Sequence, residues 1–105
     1  MPNTALTEAV FYILLSLTKP MHGYGIMQKV EEMSSGRVRL AAGTLYGALN
    51  TLMEKGWIKA LPGAKDSRKK EYLITEAGRE AAKTELSRLG ELYTNGKHIL
   101  KGEDS

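Results

Sequence analysis

The stretch GTLYGALNTLMEKGWI, Gly43 to Ile58, decides how the rest of the chain is read. At about 100° per residue, Leu45, Leu49 and Leu52 point one way with Ala48 beside them, which makes an ordinary core face. Opposite lie Gly43, Gly47, Asn50 and Glu54, flanked by Thr44 and Thr51 on one side and Tyr46 on the other. A merely solvated face would carry Lys, Glu and Arg. Two glycines there cost roughly 1 kcal/mol each in helix propensity, which makes sense if something large approaches that backbone closely. Gly56 stands where a left-handed C-terminal cap is expected, so the pattern predicts a helix over 43–55.

What approaches is indicated by charge. Net charge over the 105 residues is only +3, but it is unevenly placed. Residues 36–74 hold eight basic side chains against three acidic ones, whereas residues 1–35 and 75–105 are each acidic by one charge. A localised basic segment on a small domain is the footprint of a polyanion binder. The length fits one compact domain with a single core, and a 42% hydrophobic, 26% charged composition is that of a globular chain. The longest apolar run, AVFYILL at Ala9 to Leu15, is too short to span a bilayer and lacks the positive region of a signal peptide. With no cysteine, disulfides and thiolate metal sites are excluded, and a cytoplasmic location is expected.

Outward from the central helix, Leu6, Ala9, Val10, Ile13, Leu14 and Leu17 predict a first helix over 4–18, with Asn3 and Thr4 as caps. Phe11, Tyr12 and Leu15 add apolar surface on its other sides, so this helix is covered all round, either by its own core or by a second chain. TKPMHGYG breaks the chain. Ile26, Val30 and Met33 then set a second helix over 23–34, and RVRL after it alternates like a short strand exposing Arg37 and Arg39. WIKAL and KEYLI read as two strands joined by the loop PGAKDSRK. Thr75 caps a last helix on which Ala82, Leu86, Leu89 and Tyr93 form a coiled-coil-like seam. Asn95-Gly96 is a candidate break with a frayed tail beyond it. Unbroken from Glu76 to Leu100, the helix would be about 37 Å long, overhanging its own domain and calling for a second copy as partner.

Helix, helix, short strand, helix, basic hairpin, helix is the order of a winged helix-turn-helix. The fold class is therefore mainly α with a small β-hairpin wing. Residues 1–75 make the DNA-binding part, and 76–105 a dimerisation helix and tail within the same compact unit. In that fold the 43–55 helix enters the major groove, with Gly43 and Gly47 admitting the backbone, Asn50 offering an amide to a base edge, and Thr44 and Tyr46 donating to phosphates. Lys65, Arg68, Lys69 and Lys70 of the 62–70 wing would reach the phosphate backbone or the adjacent minor groove.

HGYGI at His22 to Ile26, GTLYGALNTLMEKGWI at Gly43 to Ile58 and KKEYLITEAG at Lys69 to Gly78 together resemble the PadR family of bacterial transcriptional regulators. The resemblance covers roughly residues 5 to 95, with three separate motifs in order. It implies a homodimeric winged-helix protein, usually a repressor, whose C-terminal helix pairs with the first helix of the other subunit and whose operator is palindromic. By position it implies DNA contacts at Thr44, Tyr46, Arg68, Lys69 and Lys70, with Tyr24 near the DNA or bracing the recognition helix. One departure stands out: the family commonly has proline after that helix tyrosine, where this chain has Gly47. Some PadR-like proteins bind flat aromatic or cationic drugs between subunits. Phe11, Tyr12, Leu15, Leu86, Leu89 and Tyr93 are the candidates either for such an effector pocket or for a dry dimer interface.

Other chemistry finds little support. His22 reads as a cap or brace before the second helix, His98 lies in the tail, and Asp66 and Asp104 complete no catalytic or metal-binding arrangement, so neither enzyme activity nor a cofactor is expected. Met27, Met33 and Met53 read as core fillers. Trp57 falls on the strand face opposite Ile58, hence partly exposed or resting on a neighbouring helix. Two other functions remain compatible with the fold: a winged-helix protein-interaction module that does not bind DNA, and a protein whose main activity is sensing a small molecule.

Overall fold

A computed structural model describes residues 5–62 and 69–104. The elements are α1 (Glu8–Ser16), β1 (Met21–His22), α2 (Gly23–Met33), α3 (Ala42–Glu54), β2 (Ile58–Ala60), β3 (Glu71–Ile74) and α4 (Glu76–Asp104). The strands form one antiparallel sheet in the order β1-β3-β2. Ile58 stands opposite Ile74, and Ala60 opposite Tyr72, so these four share the inward face while Lys59, paired with Leu73, is on the outward one.

The core is where the apolar periodicity requires it. Ile13 and Leu14 from α1 with its C-cap Leu17, Ile26 and Val30 from α2, Leu45, Leu49 and Leu52 from α3, and Ile58, Tyr72 and Ile74 from the sheet are all buried. Ala82 closes the cluster from α4, and Met27, Met53 and Trp57 pack at its edge. The sheet is tied to the helices through backbone groups: Ile74 N–H donates to Leu17 C=O at 2.8 Å, and Thr75 N–H to Trp57 C=O at 2.9 Å. Thr75 also caps α4, its Oγ1 accepting from Gly78 N–H at 3.1 Å while donating to Gly56 C=O at 2.6 Å. Gly56 has φ +78, the left-handed cap expected of it.

Three expectations are corrected. The first helix starts at Glu8 rather than residue 4, because Thr7 is the cap, its Oγ1 accepting from Val10 N–H at 3.1 Å; Asn3 and Thr4 lie outside the described residues. RVRL is not a strand. Ser35 and Gly36 both take positive φ, and Val38 N–H is satisfied by the buried Ser34 hydroxyl at 2.9 Å, so this segment's donors are spent locally. The third strand comes instead from Met21 and His22 inside the breaker cluster, paired with Tyr72 and Glu71. Nor does Asn95-Gly96 break the last helix, which runs 29 residues. With no facing strand to reward a turn, one glycine in a long helix costs only about 1 kcal/mol; around it Lys97 reaches over the Tyr93 ring at 5.1 Å.

At about 1.5 Å per residue, α4 is some 43 Å long, and the molecule measures 61 × 32 × 20 Å. The first turns of α4 pack on α1, and beyond them the helix carries exposed apolar residues away from the body. Among the described residues, no helix is long and apolar enough to cross a membrane.

Candidate nucleic-acid interface

The exposed side of α3 is built by what its other side must bury. With Leu45, Leu49 and Leu52 in the core, Gly43, Thr44, Tyr46, Gly47, Asn50, Thr51 and Glu54 are all left exposed, as helical spacing requires. A side-chain carbon added at Gly43 or Gly47 would meet nothing within 4 Å. The fold itself therefore does not require glycine at either place. Thr51 Oγ1 is turned back to Gly47 C=O at 3.2 Å, whereas the Asn50 amide makes no such bond. The helix begins after Ala41 with no side-chain cap, so the N–H groups of its first turn are unclaimed by side chains.

Lys59, Lys69 and Lys70 are exposed on and beside the sheet. Lys65 and Arg68 lie outside the described residues. Lys59 was not singled out from the sequence, although its outward place in the Ile58/Ala60 alternation was the available signal. Arg37 and Arg39, by contrast, are occupied: Arg37 pairs with Glu8 of α1, whose carboxylate holds the guanidinium pKa above its ordinary value, and Arg39 stands 3.8 Å from Glu31 of α2. Part of the basic excess read from residues 36–74 is thus used to fasten the link between α2 and α3.

The start of α2 is set by two side chains. His22 Nδ1 accepts from Gly25 N–H at 3.0 Å, so this histidine is the helix cap. Tyr46 of α3 leans across so that its hydroxyl occupies the place of any side chain on Gly23. Bracing between α2 and α3 therefore falls to Tyr46, and Tyr24 is 64% exposed, beside Met27, Gln28 and Leu40. Tyr72 lies near Tyr46; burial first, and Tyr46 second, push its phenol above the usual range and keep it neutral.

On the other side of the molecule's core helix, Phe11, Tyr12 and Leu15 of α1 are half-buried. Phe11 and Leu15 line a cavity of about 140 Å³ with Leu86, and Phe11 and Tyr12 one of about 300 Å³ with Leu89. Tyr93 is 67% exposed further along α4. Leu92, Ile99 and Leu100 are also exposed on that helix; Ile99 and Leu100 were passed over because they lie beyond the candidate break at Asn95-Gly96, and Leu92 because it falls outside the spacing of the seam from Ala82 to Tyr93. Trp57 is partly buried against the core of its own chain and borders a cavity whose other walls include residues of α1 and α3. Among the described residues, no three His, Cys, Asp or Glu side chains stand together to hold a metal ion.

Comparison with known proteins agrees with this architecture. The Transcriptional regulator PadR-like family matches residues 11–84. A PadR family transcription regulator from hypervirulent Clostridium difficile superposes with a TM-score of 0.73 at 22% identity, over 90% of this chain and 99% of that one. A PadR family transcriptional regulator from Eggerthella lenta gives 0.70 at 20% identity, over 87% and 80%. An uncharacterised 37.1 kDa protein in a Streptomyces fradiae transposon is 34% identical over 86 residues, which are 81% of this chain but only 24% of that protein, so the chain spans about a quarter of the curated relative it matches. With a family match over most of its length and the fold of two family members, this chain belongs to the PadR-like family of transcriptional regulators.

Proposed function

We propose that this chain is a sequence-specific DNA-binding repressor that works as a homodimer, with α3 in the major groove and wing lysines on phosphates. The observation that carries the reading is the open side of α3, where Gly43 and Gly47 leave space above the backbone beside an uncommitted Asn50 amide. Gly in a helix interior, where Gly47 stands, is destabilising, and no contact among the described residues offsets it here. A duplex approaching the helix closely does, and Asn is suited to the paired donor and acceptor of an adenine edge. Thr44 and the unclaimed N–H groups of the first turn suit phosphate. Lys69 and Lys70, together with Lys65 and Arg68, supply the sequence-independent charge.

The dimer is supported by α4. Leu86, Leu89, Leu92, Tyr93, Ile99 and Leu100 are exposed along one side of a helix that outruns its own domain, and an apolar strip of that extent marks an association surface. A two-fold pair places two α3 helices against a palindromic operator. An aromatic or cationic effector seated between subunits at Phe11, Tyr12 and Leu15 would act by changing that pairing. Residues 1–75 then serve as the DNA-binding part and 76–105 as the dimerisation helix.

The test is fluorescence anisotropy against a duplex enriched from a random pool by the protein itself, with a scrambled duplex as competitor, over a salt series. Binding that withstands the competitor and weakens steeply with salt is the expected result. Equal binding to both duplexes would refute sequence-specific reading, and no binding at low salt would refute DNA binding altogether.

A further inference from the structure

Trp57 takes no part in the surface proposed to face DNA. It lies with Leu6, just before α1, Val10 of α1, and Ala48 and Leu52 of α3 around a notch of about 330 Å³, a volume in the range of small-molecule sites. Three polar side chains line this apolar notch, Thr7, Thr51 and Lys55, and the Thr51 hydroxyl proton is already given to Gly47 C=O. The Lys55 ammonium lies 5.0 Å from the centroid of the Trp57 ring and has no carboxylate partner among the described residues. Thr7 Oγ1 accepts from Val10 N–H, which leaves its own proton to donate.

We propose that this notch binds a small amphipathic monoanion, an aliphatic carboxylate of roughly eight carbons given the volume and lining. The alkyl tail lies against the aliphatic walls and the indole, while the carboxylate meets Lys55 and Thr7. Charge selects the ligand, because a neutral molecule gains nothing from Lys55 and a cationic one is repelled by it. The notch adjoins the larger cavity between α1 and α4, with Leu6 and Thr7 as the shared wall, but its remaining walls come from α3 and Trp57 rather than from α4. Ala48 and Leu52 belong to α3 and Lys55 is its C-cap, so an occupant bears directly on that helix; that consequence for DNA rests on the proposed function, whereas binding itself does not.

The experiment is an NMR titration of the full-length ¹⁵N-labelled protein with sodium octanoate, and separately with octan-1-ol, following the amides of Thr7, Ala48 and Lys55 and the Trp57 indole N–H. Saturable octanoate shifts centred on these groups are expected. Lys55→Gln should need about tenfold more octanoate while binding octan-1-ol as the wild type does. Ala48→Leu, which fills the notch with an apolar side chain, should abolish the shifts in a protein that still melts cooperatively. The proposal is overturned by an absence of saturable shifts, by shifts centred on Phe11 and Leu89, by equal octanoate affinity in wild type and Lys55→Gln, or by binding that survives Ala48→Leu. Binding that appears only when a Leu92→Asp variant dissociates the dimer would mean that the second copy fills the notch, which also overturns it. In a separate arm, saturating octanoate should change affinity for the selected duplex by about fivefold or more, and not in Ala48→Leu. Unchanged DNA affinity with the notch occupied overturns the coupling, while octanoate binding by a protein that binds no DNA retains the site and refutes the proposed function.

Discussion

The Tyr46 hydroxyl fills the space that a side chain on Gly23 would need, so the first residue of α2 and the early part of α3 are fitted to each other. This contact sets how far α3 projects from the body. Gly23→Ala should therefore destabilise the protein by about 1 kcal/mol through overpacking, read by urea unfolding. Tyr46→Ala removes the obstructing ring, so in a double-mutant cycle the alanine at 23 should cost less in that background than in the wild type. Simple additivity of the two losses would show that the ring swings aside freely.

Gly47 presents the opposite case. Nothing stands within 4 Å of a side chain placed there, so Gly47→Ala should stabilise the protein by about 0.5–1 kcal/mol on helix propensity alone. The same methyl should weaken binding to the selected duplex, because it stands between the helix and the groove. If Gly47→Ala raised stability without loss of DNA affinity, close approach to this side of α3 would be ruled out.

Base reading and phosphate attraction should separate in two other substitutions. Asn50→Ala should cost about 1–3 kcal/mol on the selected duplex and little on a scrambled one. Lys69→Ala should weaken both alike and reduce the salt slope by about one unit. Anisotropy titrations of each variant on both duplexes decide the matter; an equal loss on both for Asn50→Ala would remove its role in base reading.

Much of this was legible in the sequence because the periodic elements are amphipathic. Leu45, Leu49 and Leu52 fixed which side of α3 is inward, and thereby which side is open. The strand alternation through Ile58 and Ala60 likewise placed Lys59 outward. Legibility failed where local hydrogen bonding outweighed pattern. Val38 alternates with Arg37 and Arg39 as a strand residue would, yet its N–H goes to Ser34, and a buried hydroxyl four residues back leaves no signal in apolar spacing. The pairing of Met21 with Tyr72 joins residues about fifty positions apart and is invisible to any local reading. Asn95-Gly96 misled for a related reason, since a turn signal acts only where the chain gains something by turning.

Glu85 gives the last prediction, because it is a carboxylate buried against α1 with only 4% of its surface exposed. Arg88 holds it by two hydrogen bonds, Nε to Oε1 at 2.9 Å and Nη2 to Oε2 at 2.6 Å. This pairing, helped by a backbone hydrogen bond from Leu6, keeps the carboxyl below the usual carboxylate range against the opposing effect of burial. A lowered pKa in the folded protein means that the pair's stabilisation is fully present above the range in which an unfolded glutamate titrates, and is lost as pH falls through the folded value. Thermal midpoints of the wild type and Glu85→Gln should therefore differ most at neutral pH, where the variant leaves Arg88 without its charge partner. The two curves should converge on acidification below about pH 4. A gap that stayed constant down to the acid limit would show that Glu85 contributes shape rather than charge at the seam between α1 and α4.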